Sequence, residues 1–162
     1  MRKLFSIFAA SMMLFAASCS TEKFDEPKGD GNVTFTVQLP GGLQSRALGD
    51  GTTATKLYVA AYEAGTTAPL AVPNGAQAIA DMSSLKATVS LQLVTGKTYD
   101  LVFWAQAADA PYAFNPTGRT VDMNYSGAAA NAENRDAFFH IENGLTVTGP
   151  MEKDITLKRP FA

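Results

Sequence analysis

The sequence predicts an all-β fold. Three observations carry that expectation. Apolar and polar residues alternate with period two in several separate segments, these segments are punctuated by Gly, Pro and Asn, and no segment shows a sustained helical period. Strands of this length and spacing point to a β-sandwich of immunoglobulin-like kind, with short helical turns in its loops. The chain has 162 residues, enough for one domain. Its hydrophobic fraction of 46% is ordinary for a chain that buries a core, and its charged fraction of 17% is low.

The chain opens with a different kind of segment. Arg2 and Lys3 are followed by an uncharged, mostly apolar run from Leu4 to Ala17, and then by Ser18 and Cys19. A short positive start, an apolar stretch and small residues at its end make a secretory signal over residues 1–18. The apolar run has 14 residues, short of the ~20 that a membrane-spanning helix needs. Phe15-Ala16-Ala17-Ser18-Cys19 resembles a lipobox, in which the peptide is cut before a cysteine that receives lipid. The large aliphatic residue usual three places before that cysteine is Ala16 here.

Cys19 is the only cysteine, which excludes an internal disulfide and a cysteine-based zinc site. The competing account is an ordinary secretory signal followed by a chance cysteine. A lone cysteine at the one position that lipidation requires favours the lipobox. Acyl chains contribute ~0.8 kcal/mol per buried methylene, so several of them make a durable anchor. The expected partner is therefore a membrane, reached through lipidated Cys19. Residues 19–32 are polar and rich in Gly, Asp, Glu and Lys, and read as a flexible tether.

The sandwich is expected over residues 33–162. Val33, Phe35, Val37 and Leu39 form its first strand, ended by Pro40-Gly41-Gly42. Leu57, Val59 and Ala61 alternate with Tyr58, Ala60 and Tyr62 in a second. Val89, Leu91 and Leu93 make a third, and the turn Thr95-Gly96-Lys97 leads to Tyr99–Ala107. That last strand is apolar on both faces and should lie centrally, with Trp104 in the core. Shorter strands are expected at Thr120–Met123, Leu145–Thr148 and Asp154–Lys158. Helical turns are expected at Gln77–Leu85 and at Asn131–Phe139, the latter with Asn131 as N-cap.

Composition and spacing exclude most chemistry. Net charge is −2, and −4 once the signal is removed, so nucleic acid finds no basic patch. His140 is the single histidine, too few for a usual zinc set, and no Gly-x-Ser-x-Gly elbow accompanies it. It reads as packed beside aromatics. Asp100, Asp109, Asp122, Glu133 and Asp136 show no spacing that sets a catalytic pair apart from solvated acids. No enzyme activity, metal or cofactor is expected. Tyr112 and Phe114, between Pro111 and Pro116, are the aromatics placed to meet a ligand, although anchoring of their loop accounts for them better.

Several segments resemble the fimbrillin-like lipoproteins of the Bacteroidales, the subunits of type V pili and their unpolymerised relatives. They include Val33–Val37, Ser45-Arg46-Ala47, Leu57–Glu63, Phe103-Trp104-Ala105-Gln106, Arg135-Asp136-Ala137-Phe138-Phe139 and Leu157–Ala162. The match is to the N-terminal β-sandwich domain of that family. The resemblance implies an outer-membrane or fimbrial location and a structural or adhesive role. It also implies cutting between Arg46 and Ala47 by an arginine-specific protease, loss of the Val33–Leu39 strand, and its replacement by a strand from another fimbrial subunit. Such subunits usually carry a second sandwich domain, so a truncated form of a longer protein is one expectation. The alternative is a lipid-anchored module that captures glycan or host protein and never polymerises.

Overall fold

The computed structural model describes residues 31–40, 50–70, 78–124, 126 and 132–160. Among the described residues there are nine strands: β1 (Gly31–Gln38), β2 (Lys56–Glu63), β3 (Ala78–Asp81), β4 (Lys86–Leu93), β5 (Thr98–Gln106), β6 (Tyr112–Asn115), β7 (Thr120–Met123), β8 (Ala137–Thr146) and β9 (Met151–Thr156). One 3-10 turn lies at Glu133–Arg135. A sheet ordered β4-β1-β9 faces a sheet ordered β3-β2-β5-β8, and β6 and β7 form a separate ribbon. The expected all-β sandwich is present.

Period-two alternation builds the core. On β1, Val33, Phe35 and Val37 are fully buried, and Ala87, Val89, Leu91 and Leu93 of β4 point the same way. The facing sheet contributes Leu57, Val59 and Ala61 from β2, Leu101, Phe103 and Ala105 from β5, and Phe138 from β8. Phe35 meets Phe103 edge-on at the centre, with ring centroids 5.2 Å apart. Burying each such large side chain stabilises the fold by roughly 1.5–3 kcal/mol.

The seven sandwich strands divide four and three, as in immunoglobulin-like domains. Here the first strand sits in the middle of its sheet, antiparallel to β4 along its whole length and parallel to β9 from Val33 to Gln38. After β9 the chain crosses to the other sheet, where Lys158 and Phe139 exchange two backbone hydrogen bonds of 2.7 and 2.8 Å. β5 lies between β2 and β8, as its two apolar faces predict.

Four expectations are corrected. Gln77–Leu85 is not helical: Gln77 lies outside the described residues, Ala78–Asp81 is the edge strand β3, and a turn follows it. Its backbone pairs with Lys56–Val59 and Lys56 binds Asp81, so tertiary pairing overrides a weak local preference. In the second helical segment only Glu133–Arg135 turns, with Ala132 in the cap position and no side-chain cap; Asn131 lies outside the described residues. Ala137–Thr146 is instead one ten-residue strand, which absorbs the expected short strand at Leu145. Finally, β1 begins at Gly31, inside the stretch read as tether.

The reason for that early start is visible at Gly31 itself. A Cβ there would lie 2.5 Å from Val147 Cγ1 and 3.1 Å from the Leu93 carbonyl oxygen. Only glycine lets the ladder with Leu93 continue at this crowded corner.

Candidate functional site

Cys19, Arg46 and Ala47 lie outside the described residues. What the structure describes is the strand that separates those two sites in sequence, and the anchoring of the chain on either side of it.

β1 is a plug. It hydrogen-bonds to neighbours on both edges, and its inward side chains fill the space opposite Phe103. The polar face of β1 is tied more lightly. Thr34 Oγ1 is 2.9 Å from Ser90 Oγ, Gln92 Nε2 donates to Asn32 Oδ1 at 3.2 Å, and Gln38 Nε2 donates to Thr156 Oγ1 at 3.1 Å. Without β1, the facing edges of β4 and β9 would present open rows of backbone donors and acceptors beside an apolar trough.

The chain returns to described structure at Asp50 and is fastened at once. Gly51 N–H donates to Asp136 Oδ2 at 3.1 Å, and Thr53 Oγ1 donates to the Glu133 carbonyl at 2.9 Å. Asp50 accepts from both the backbone and the hydroxyl of Thr52, which holds its carboxyl below the usual range. Asp136 is buried and also accepts from Arg159, at 2.7 Å from Nη1 and 3.4 Å from Nη2. The Arg159 guanidinium lies 4.8 Å over the Phe138 ring. One carboxylate thus gathers the start of the β2 limb, the 3-10 turn and the C-terminal segment.

A second assembly covers the outer face of the four-stranded sheet. Tyr58, Ala60, Tyr62, Trp104 and Gln106 point away from the main core, and the β6–β7 ribbon lies across them. Tyr112 meets Trp104 edge-on at 5.8 Å, and its hydroxyl donates to the Arg135 carbonyl at 2.8 Å. Phe114 packs against Tyr58 at 6.2 Å. The Tyr62 hydroxyl donates to the Pro116 carbonyl at 2.6 Å, and Arg119 stacks 3.8 Å over the Tyr62 ring while also donating to the Thr66 carbonyl. Trp104 is buried as expected, but beneath the ribbon and not between the sheets. Its Nε1 donates to Gln106 Oε1 at 2.6 Å. Tyr112 and Phe114 are half-buried and hold the ribbon down.

Two of the remaining acids, Asp100 and Asp109, have separate partners. Asp100 Oδ1 accepts from Gly144 N–H at 3.0 Å, beside the register shift between β5 and β8, and its Oδ2 is 3.7 Å from Arg119. Asp109 Oδ2 accepts from Asn134 Nδ2 at 3.2 Å. Asp122 and Glu133 are exposed.

His140 packs 6.1 Å from Phe103 and lies 3.3 Å from Glu142, which also accepts from Lys153 at 2.7 Å. The Lys153 ammonium, with His140 acting in the same direction, holds the Glu142 carboxyl below its ordinary range against the opposing effect of partial burial. This polar trio spans the open flank where β8 and β9 meet. An inward lysine on an edge strand discourages pairing with a stray strand.

Residue spacing signalled neither Asp136–Arg159 nor Arg119–Tyr62, because each pair is far apart in sequence. The only hint was the compact Arg135-Asp136-Ala137-Phe138-Phe139 motif.

These features belong to a two-sheet β-sandwich with a docked aromatic ribbon. The chain is a member of the family described as a family of unknown function (DUF6562), which matches it over residues 25–162. No curated protein and no solved structure matches it.

Proposed function

We propose that this protein is a lipid-anchored surface protein of fimbrillin type, a structural or adhesive subunit of fimbriae that assembles by strand exchange at the outer membrane. The single observation that carries the reading is the position of β1. It is the central strand of its sheet, it supplies the core with Val33, Phe35 and Val37, and among the described residues the next strand belongs to the opposite sheet. A cut in the 41–49 connection would therefore leave both sheets' remaining ladders covalently intact. A strand from another subunit would satisfy the rows that β1 leaves open on β4 and β9. The clamp on Gly51 and Thr53 supports the same reading, since the limb beyond the cut stays fastened.

The test is limited digestion of the purified mature protein with an arginine-specific protease. A single cut after Arg46 is expected. A synthetic peptide of residues 31–40 should then exchange with the cleaved segment, detected by native mass spectrometry. Resistance at Arg46 in the folded protein counts strongly against polymerisation.

A further inference from the structure

We propose that one end of the sandwich faces the lipid surface and that the opposite end, where the 41–49 connection begins and finishes, points outward. This rests on reading Cys19 as the anchor. The end in question is the one where β1 starts. Gly31 lies beside Leu93, Thr95 and Val147 there, and Gly96 N–H donates to the Val147 carbonyl. The 64–69 turn and the tip of the β6–β7 ribbon share this end, because Tyr62 holds Pro116 and Arg119 holds Thr66.

Chain length favours this orientation over the inverted one. From Cys19 to Gly31 is 12 residues, with a contour of roughly 40 Å at most. A random chain of that length has an end-to-end distance on the order of 19 Å. β1, with eight residues, adds about 26 Å before the far end is reached. An inverted domain would need about two thirds of that contour laid along its side, more than the random-chain distance of about 19 Å, whereas the end with Gly31 meets the surface within that distance.

The chemistry of that end suits a headgroup layer. It includes Gly65, Thr66, Thr67, Gly96 and Thr117, and two of its acids are paired, Glu63 with Lys97 at 3.0 Å and Asp100 with Arg119 at 3.7 Å, while Glu152 of β9 is exposed. At the opposite end, Gln38 pairs with Lys86, Gln106 pairs with Ala137, and Asp136 clamps Gly51. Pro40 and Asp50, between which Arg46 lies in sequence, belong to that outward end. A protease arriving from outside would meet this side first.

The experiment uses the full lipoprotein in vesicles of phosphatidylethanolamine and phosphatidylglycerol. Cys19 is blocked by its lipid, so single cysteines can carry a bimane label at Thr67→Cys, Thr117→Cys, Lys86→Cys and Glu133→Cys. Lipids bearing a nitroxide on the headgroup quench labels near the surface. Quenching at positions 67 and 117 at least twofold above that at 86 and 133 is expected. Flotation with the vesicles but even or inverted quenching overturns the orientation alone. Failure to float overturns the anchor and the orientation together.

Discussion

Asp136 and Arg159, 23 residues apart, meet in a paired contact in which Nη1 lies 2.7 Å from Oδ1, with both side chains largely withdrawn from solvent. The same carboxylate takes the Gly51 N–H, so a charge pair and a backbone donor depend on one side chain.

Asp136→Ala should therefore cost more than a surface ion pair. The substitution removes at once the charge partner of Arg159 and the acceptor of the Gly51 N–H, a loss of about 2 to 3 kcal/mol. Arg159→Met, which leaves a carboxylate that still accepts from Gly51, should cost less. Urea unfolding of the two single variants and the double variant measures the coupling.

Gly31→Ala should destabilise the domain by about 1–3 kcal/mol, the usual range for overpacking. The obstacle is the Val147 side chain, so adding Val147→Ala should recover part of the loss. A double variant no more stable than Gly31→Ala alone would leave the Leu93 carbonyl as the dominant clash.

Arg119→Ala removes the guanidinium from the Tyr62 ring and from the Thr66 carbonyl. The ribbon should loosen while the sandwich stays folded. Hydrogen exchange of residues 112–123 should quicken several-fold, and the emission of Trp104, the only tryptophan, should move to longer wavelength as water reaches it. Tyr62→Phe should weaken the same docking by about 1 kcal/mol through loss of the bond to Pro116.

Glu142 gives an acid dependence of definite sign. Its carboxyl is held below the ordinary glutamate value in the folded state, chiefly by Lys153. The stability it contributes is present above the unfolded value of about 4.3 and disappears as pH falls through the lower folded value. Glu142→Gln should flatten the stability profile in that acid window, which chemical denaturation at a series of pH values checks.

Much of the architecture is legible in local pattern. Alternation located β1, β2, β4, β5 and β9 to within a few residues, because a strand with one buried face writes its period directly into the chain. The edge strand β3 was not legible. Ala78–Asp81 has weak β preference, and its state depends on pairing with β2. β8 was hidden for a related reason. His140, Glu142 and Asn143 interrupt its apolar pattern, and Glu142 is tolerated inward only because Lys153 comes from another sheet to meet it. Of the candidate residues, Tyr112 and Phe114 were read as loop aromatics, whereas they lie on strand β6 and pack on Trp104 and Tyr58.

By itself, the sequence determined the all-β class, the central place of β5 and the inward-facing residues of β1 and β4. Each follows from side chains alternating across a pleated backbone. Only the tertiary structure decided that β1 is enclosed between β4 and β9, that Trp104 is buried under a ribbon, and that Asp136 binds three segments together. Those outcomes depend on long-range pairing, where groups distant along the chain must satisfy one another's hydrogen bonds and charges. No local periodicity records which distant partner does so.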